Sequence, residues 1–241
     1  MKRFYREAMV TQIDDGWSIV LDGVPARTPA NHAIVVPSAA LASAIAAEWQ
    51  AQGDEIRFDS LNLTRLAATA IDLVRDRRDA VVAELLKYAD TDLLCYRATR
   101  PAELVARQEQ LWQPLLDWAV QRFDATLIVT SDLVPIAQPA SGVGALRKAL
   151  SAYSDLELTA LRLATATAGS LVIALALIER RLDPESAFAA AEIDESFQIS
   201  RWGEDPEQAT RSAALKADLA LAARFAALAR NAPGALALPS A

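Results

Sequence analysis

The pattern of apolar and polar positions predicts short strands near the start of the chain. Apolar and polar residues alternate over residues 10–13 and 17–21, with Asp14-Asp15-Gly16 between them as a hairpin turn. Shorter runs at residues 24–27, 34–36 and 56–58 are further strand candidates. The first part of the chain therefore predicts a small sheet.

Beyond this region the pattern predicts helices. Ser38 is suited to cap the first of them, and Leu41, Ile45 and Trp49 follow at a spacing of four, which places them on one buried face. Further helices are predicted over residues 63–74, 79–89, 101–123, 144–153, 156–181, 184–202 and 206–229. Residues 126–129 favour a strand, and periodicity does not decide the type of residues 92–97.

Together these elements predict the α+β class. We expect a small N-terminal strand-and-helix domain over residues 1–95 and a larger all-helical C-terminal domain over residues 96–241, packed together. No internal repeat is present, and the Pro- and Gly-containing tail from residue 231 is expected to be frayed.

Composition narrows the function classes. The 241 residues are 53% hydrophobic, which is enough for a core, and the net charge of −7 argues against nucleic-acid or anionic membrane surfaces. The single Cys excludes an internal disulfide. One Cys and one His are also too few ligands for the usual zinc sites, so no metal or cofactor is expected.

The longest apolar run is too short for a typical membrane span. It covers 16 residues, 163–178, whereas a span needs about 20, so we expect a buried helix. The first ten residues lack the apolar core of a signal peptide, and a cytoplasmic location is expected for a bacterial chain.

Motifs for catalysis are weak or absent. The chain has no phosphate-binding G-x-x-x-x-G-K-[ST] loop, and the segment Ser141-Gly142-Val143-Gly144 lacks the third glycine of a dinucleotide fingerprint. His32 has no accompanying nucleophile elbow and is interpreted as a loop or strand-edge residue. Cys95 lies in an apolar context that is typical of an inert buried thiol. We predict no catalytic residues.

The helix predicted over residues 184–202 has an unusual second face. At about 100° per residue, Ala189, Ile193 and Phe197 form a core stripe. The opposite face groups two acids with three apolar residues: Phe188, Glu192, Glu195, Ile199 and Trp202. Three interpretations stay open, namely a central helix with its acids paired to Arg, a recognition face for a partner, and a carboxylate pair for hydrolysis.

Several ordered sequence blocks resemble one protein family over nearly the whole chain. This family comprises the assembly chaperones of the F-type ATP synthase catalytic head that bind its alpha subunit. The blocks are Arg3-Phe4-Tyr5, Leu21-Asp22-Gly23, Thr28-Pro29, Glu48-Trp49, residues 63–67, 69–72 and 91–97, Trp112, residues 114–118, 169–171 and 194–198, and Trp202-Gly203. The chain departs from the family at Ala68, where Asn is common, and at Gln113, where Asp is common.

The resemblance implies an ATP-independent chaperone that holds the alpha subunit until the beta subunit arrives. It also implies an α+β N-terminal domain, a helical C-terminal domain, and a mitochondrial matrix location for eukaryotic relatives. On this basis, together with the helical wheel, the expected partner-binding residues are Glu192, Glu195, Phe197, Trp202, Gly203, Glu204 and Asp205, with Trp49 and Arg65 as secondary candidates. A small-molecule hydrolase using Glu192 and Glu195, or a helical adaptor for another complex, are the alternatives.

Overall fold

A four-stranded antiparallel sheet lies near the start of the chain. In this computed structural model, which describes residues 1–132, 134, 136–203 and 205–230, the strands are β1 (Ala8–Ile13), β2 (Gly16–Leu21), β3 (Val24–Pro25) and β4 (Val35–Val36). Strand β2 is central, because β1, β3 and β4 all pair with it. The register places Ile13 opposite Gly16, which confirms the predicted hairpin turn. A Cβ at Gly16 would lie 2.6 Å from the Val36 carbonyl oxygen, so this position requires glycine.

Ten α-helices make up most of the remaining described chain. They are α1 (Ala39–Gln50), α2 (Asn62–Thr69), α3 (Arg78–Asp90), α4 (Ala102–Phe123), α5 (Ala140–Ser151), α6 (Asp155–Ala168), α7 (Leu171–Ile178), α8 (Pro184–Ala191), α9 (Ile193–Trp202) and α10 (Pro206–Arg230). A π-helical turn, Ala70–Val74, continues α2, and short 3₁₀ turns lie at Phe58–Ser60 and Leu93–Cys95. The predicted α+β class is confirmed.

Three predicted elements outside residues 184–202 differ from the structure. Residues 56–58 form no strand, since pairing there is limited to an isolated bridge between Lys2 and Glu55. Residues 126–129 likewise remain outside any strand, with one bridge between Tyr96 and Thr130 beside them. The long helix predicted over residues 156–181 is interrupted at Gly169, which has φ +65°, and Ser170 then caps α7 by accepting a hydrogen bond from the Ile173 N–H at 3.0 Å.

The contacts group the described residues into two compact units. Unit 1 combines residues 1–77, 155–159 and 224–230, and unit 2 combines residues 78–154 with the described part of 160–223. This grouping is not contiguous in sequence, because short segments of α6 and α10 belong to unit 1. The division at residues 95 and 96 remains a prediction about the order of domains along the chain.

Each unit has its own buried apolar residues. In unit 1, α1 buries Leu41, Ile45 and Trp49, as the spacing of four predicts. In unit 2, every residue of α7 is buried, and Trp112 of α4 is fully enclosed. Within the described ranges, no helix combines the length and apolar character that crossing a bilayer requires.

Candidate functional site

The helix predicted over residues 184–202 is two helices, α8 and α9, separated at Glu192. The backbone of Glu192 leaves the helical range, with φ −104° and ψ 26°. The wheel drawn for one continuous helix is therefore wrong across this residue. Ala189, which the wheel placed in the core, is exposed, whereas Ile193 and Phe197 are buried as predicted.

Glu192 is a nearly buried carboxylate with incomplete pairing. Its side chain is 12% exposed, and its Oε1 lies 3.9 Å from Arg211 Nη2 on α10. Its Oε2 is buried and accepts no hydrogen bond from the described residues. Burial raises the pKa of Glu192, the Arg211 guanidinium opposes that shift, and the Glu195 carboxylate adds to it. This site therefore holds an acid that is not fully satisfied within the fold.

Glu195 lies one turn further along, and α10 holds it. The Gln208 amide donates a hydrogen bond to Glu195 Oε1, and the side chain is partly buried. The two glutamates are thus anchored to successive turns of α10, through Gln208 and Arg211. They are positioned by one helix rather than by each other.

The end of α9 presents a large exposed aromatic side chain. Trp202 is 77% exposed, and Gly203 follows it with φ +87°, a conformation that favours glycine. Asp205 is exposed and caps α10, since its Oδ1 accepts a hydrogen bond from the Gln208 N–H at 2.8 Å. Glu204 lies outside the described residues. We call the group Glu192, Glu195, Trp202, Gly203 and Asp205 the acidic corner.

Phe197 supports this surface from within. It is 4% exposed, and the guanidinium carbons of Arg201 and Arg107 lie 4.7 and 5.5 Å from its ring centroid. Both arginines also pair with Glu103, at 3.3 and 2.7 Å. Phe197 thus fixes the position of two surface cations and has little surface of its own to offer a partner.

A cleft of about 420 Å³ lies beside the acidic corner. Phe188 and Glu192 line it together with Leu111 and Lys216. Lys216 pairs with Glu185 at 2.6 Å, and Leu111 is 42% exposed. Glu195 does not line this cleft, so the cleft itself presents only one of the two carboxylates that an acid/base pair for hydrolysis needs.

Sequence reasoning missed the polar link between α4 and α9. The buried Gln108 donates a hydrogen bond to Asp194 Oδ1 at 2.7 Å and accepts one from the Ala98 N–H at 2.8 Å. It also missed Gln208 and Arg211 as partners of the two glutamates. The sequence signal for them was the spacing of three residues between Gln208 and Arg211, which places both side chains on one face of α10.

The two secondary candidates, Trp49 and Arg65, lie in unit 1 and line one cavity there. This cavity measures about 640 Å³. The residues lining it are Arg27, Thr28, Pro29, Ile34, Trp49, Phe58, Leu61, Thr64, Arg65, Ala68, Thr69, Asp72 and Leu73. We call it the unit-1 cavity. Trp49 is 6% exposed, and its indole Nε1 is buried without an acceptor among the described residues.

One continuous helical face forms much of the cavity wall. Arg65, Ala68, Thr69, Asp72 and Leu73 follow the i, i+3, i+4, i+7, i+8 pattern of a helical stripe. The alternate stripe of α2 and the π-helical turn is buried: Leu63, Ala67, Ala70, Ile71 and Val74. Glu48 anchors the start of α2, because its carboxylate accepts hydrogen bonds from the Leu63 and Thr64 N–H groups at 2.7 and 2.9 Å.

The acid at this cavity is already engaged. Asp72 accepts hydrogen bonds from Thr28 Oγ1 at 2.7 Å and from the Ala30 N–H at 3.0 Å, and its Oδ1 lies 2.9 Å from His32 Nδ1. These hydrogen bonds outweigh burial and lower the pKa of Asp72. His32 is therefore a loop residue that holds the 28–32 turn against the π-helical turn, in line with its interpretation from the sequence.

Other chemistry is limited in the described part of the chain. Those residues contain no group of three or more His, Cys, Asp or Glu placed to hold a metal ion. Cys95 is fully buried, and burial raises the pKa of its thiol to about 12, as expected for an inert thiol.

Comparison with known proteins shows which proteins this chain is similar to. A family model described as ATP12 chaperone protein matches residues 2–120. The crystal structure of Atp12 from Paracoccus denitrificans is 39% identical and superimposes with a TM-score of 0.91, covering 95% of this chain and 98% of that one. The mitochondrial atp12 protein of Schizosaccharomyces pombe is 24% identical over 215 residues, which span 84% of this chain and 74% of the relative. The mitochondrial ATP12 of Saccharomyces cerevisiae is 25% identical over 230 residues, 78% of this chain and 71% of the relative.

Proposed function

The chain belongs to the ATP12 chaperone family, and from this premise we propose that it is an ATP-independent assembly chaperone for the catalytic head of the F-type ATP synthase. Its client is the unassembled alpha subunit, which it shields until the beta subunit takes its place. For a bacterial chain the site of action is the cytoplasm. The family membership supports chaperone activity, and the resemblance of the sequence blocks supports this client.

The exposed Trp202 at the acidic corner is the observation that carries the proposal. The Trp202 side chain is 77% exposed and is followed by Gly203 at φ +87°, so a large apolar surface faces solvent at the end of α9. Tryptophan is also among the residues that contribute most binding energy at protein interfaces. We therefore assign Trp202 as an apolar anchor for the client, with Gly203 and Asp205 shaping the turn around it.

The two glutamates give this surface its charge. Glu192 and Glu195 are held from α10, so their carboxylates have fixed positions before the client arrives. Charges around an apolar anchor set the association rate and the orientation more than the affinity. A binding surface of this kind holds a client yet releases it when a partner with a larger interface competes.

The test is co-expression of the chain with the alpha and beta subunits of the same organism, each alone and both together, without added nucleotide. We expect soluble alpha subunit in a complex with the chain, and its release when the beta subunit is supplied. No effect on the solubility or co-purification of either subunit would overturn the proposal.

Two variants localise the binding surface. Trp202→Ala and Glu195→Lys should each reduce capture of the alpha subunit at least tenfold, a loss of about 1.4 kcal/mol or more, because one removes the anchor and the other reverses a fixed charge. Circular dichroism should show the native helix content in both variants. Asp90→Lys on the exposed end of α3 is the matched charge control and should capture normally. Loss of folding in Glu195→Lys would instead identify Glu195 as a structural residue.

A further inference from the structure

We propose that the unit-1 cavity is a second client-binding site, which accepts a large apolar side chain of the client with an acidic residue next to it. This inference rests on the proposed function, because it takes the occupant to be a segment of the client chain. Three properties of the cavity support it: its size, its charge and the origin of its walls.

The size and lining fit an aromatic or branched side chain. A volume of about 640 Å³ lies within the range of small-ligand pockets, and the walls include Trp49, Phe58 and Leu61. Phe58 is 53% exposed, so the wall continues onto the surface as an apolar rim. Apolar anchors that fill such pockets are the usual source of binding energy at protein interfaces.

The charge at the cavity favours an acidic neighbour. Arg27 and Arg65 line the cavity and are exposed, and within the described residues neither forms an ion pair. The acids nearby are occupied: Asp72 accepts hydrogen bonds from Thr28 and Ala30, and Glu48 caps α2. Arg27 also donates a hydrogen bond to the Asn31 carbonyl at 2.7 Å. The two cations therefore lie at a cavity whose lining carboxylate, that of Asp72, already accepts hydrogen bonds, and an arginine binds a carboxylate through paired N–H groups.

The walls come from sequence blocks that the acidic corner does not use. Thr28-Pro29, Trp49, residues 63–67 and residues 69–72 carry much of the resemblance in the first half of the chain, and each contributes to this cavity. Neighbouring elements cover the cavity face of α2 and the π-helical turn only in part. On this face Arg65 is exposed, and Ala68, Thr69 and Leu73 are half-buried. The Trp49 indole N–H also has no acceptor among the described residues.

The first arm of the test needs no client. The indole N–H resonance of Trp49, assigned with Trp49→Phe, is followed by NMR while the full chain is titrated with N-acetyl-Phe-Glu-amide or N-acetyl-Phe-Lys-amide. We expect the acidic dipeptide to shift this resonance at concentrations at least fivefold lower than the basic one. Arg65→Glu should abolish that preference, and Arg75→Glu, the same change at an exposed residue outside the cavity, should keep it.

The second arm measures capture of the alpha subunit. Ala68→Phe fills the cavity and should reduce capture at least fivefold, whereas Ala47→Phe on the exposed face of α1 should not. No response of Trp49, an equal response to both dipeptides, or normal capture by folded Ala68→Phe would each overturn the inference. If the wild-type chain captures no alpha subunit, the proposed function fails and the client assignment with it. The dipeptide titration then still supports or overturns the chemistry of the cavity.

Discussion

At the scale of single residues, the protein contains buried acids in two different situations. Glu192 has one carboxylate oxygen without a partner, whereas Asp92 is fully buried and well bonded. Asp92 accepts hydrogen bonds from Ser170 Oγ at 2.7 Å and from the Leu94 and Val172 N–H groups at 3.1 and 3.2 Å. Burial outweighs these bonds and raises its pKa to about 6. The two acids therefore have different positions in the fold. Asp92 connects the 3₁₀ turn Leu93–Cys95 to the start of α7, whereas Glu192 lines a surface cleft.

The raised pKa of Asp92 predicts a pH-dependent stability. Its folded pKa lies above the ordinary value, so its favourable contribution is complete below about pH 4 and is lost as the pH rises through 6. The stability of wild type relative to Asp92→Asn should therefore fall by about 2 kcal/mol between pH 4.5 and 7. Urea unfolding at both pH values measures this. Asp90→Asn, at an exposed position, should show no such change relative to wild type, and an equal difference at the two pH values for Asp92→Asn would contradict the prediction.

At the scale of elements, contacts at helix ends hold the proposed binding surfaces in place. Glu48 of α1 caps α2 from a distance of 15 residues in sequence, and its carboxylate also accepts a hydrogen bond from Thr64 Oγ1 at 2.9 Å. The cavity face of α2 begins one residue later, at Arg65. The position of that face therefore depends on a side chain of the neighbouring helix rather than on a local cap.

Removing this remote cap should weaken unit 1. Glu48→Ala leaves the Leu63 and Thr64 N–H groups without their acceptor, so we expect a loss of about 1–2 kcal/mol in the free energy of unfolding. Glu48→Gln retains one acceptor oxygen and should cost less. Chemical denaturation measures both changes. Glu7→Ala, at an exposed residue of the same unit, is the control and should stay within about 0.5 kcal/mol of wild type.

Elements whose sequence signals act within a few residues could be predicted, whereas features that depend on tertiary packing could not. The β1–β2 hairpin and the helix starting after Ser38 were predicted because Asp14-Asp15-Gly16 and the serine cap act within a few residues. The break at Glu192 carries no Gly or Pro, and it reflects the packing of α8 and α9 onto separate neighbours. The unit-1 cavity could not be predicted, since its walls come from residues 27–34, 49 and 58–73, which only tertiary packing brings together.

At the scale of the whole molecule, unit 1 draws on three separate parts of the chain. The last described turns of α10 contribute Phe225, Ala226 and Ala229, all buried. Arg230 also pairs with Glu157, at 2.5 Å, and both residues belong to unit 1. Residues near the end of the chain are therefore part of the same compact unit as the sheet at its beginning.

This arrangement predicts a large effect of one residue far from both proposed binding surfaces in sequence. Phe225→Ala should cost about 3–5 kcal/mol, because it removes a fully buried aromatic side chain. Phe58→Ala makes the same change at a residue of unit 1 that is 53% exposed and should cost less than about 1 kcal/mol. Equilibrium denaturation compares the two. Similar costs for both would contradict the assignment of residues 224–230 to the core of unit 1.

The membership of residues 224–230 in unit 1 also has a consequence for synthesis of the protein. Ribosomes add roughly 5–20 residues per second, so residue 224 is made on the order of ten seconds after residue 77. The strands and the cavity helix are thus translated before residues 224–230 and lack that part of their core during the interval. A member of a chaperone family therefore passes through an interval during its own synthesis in which part of its fold lacks residues of its core.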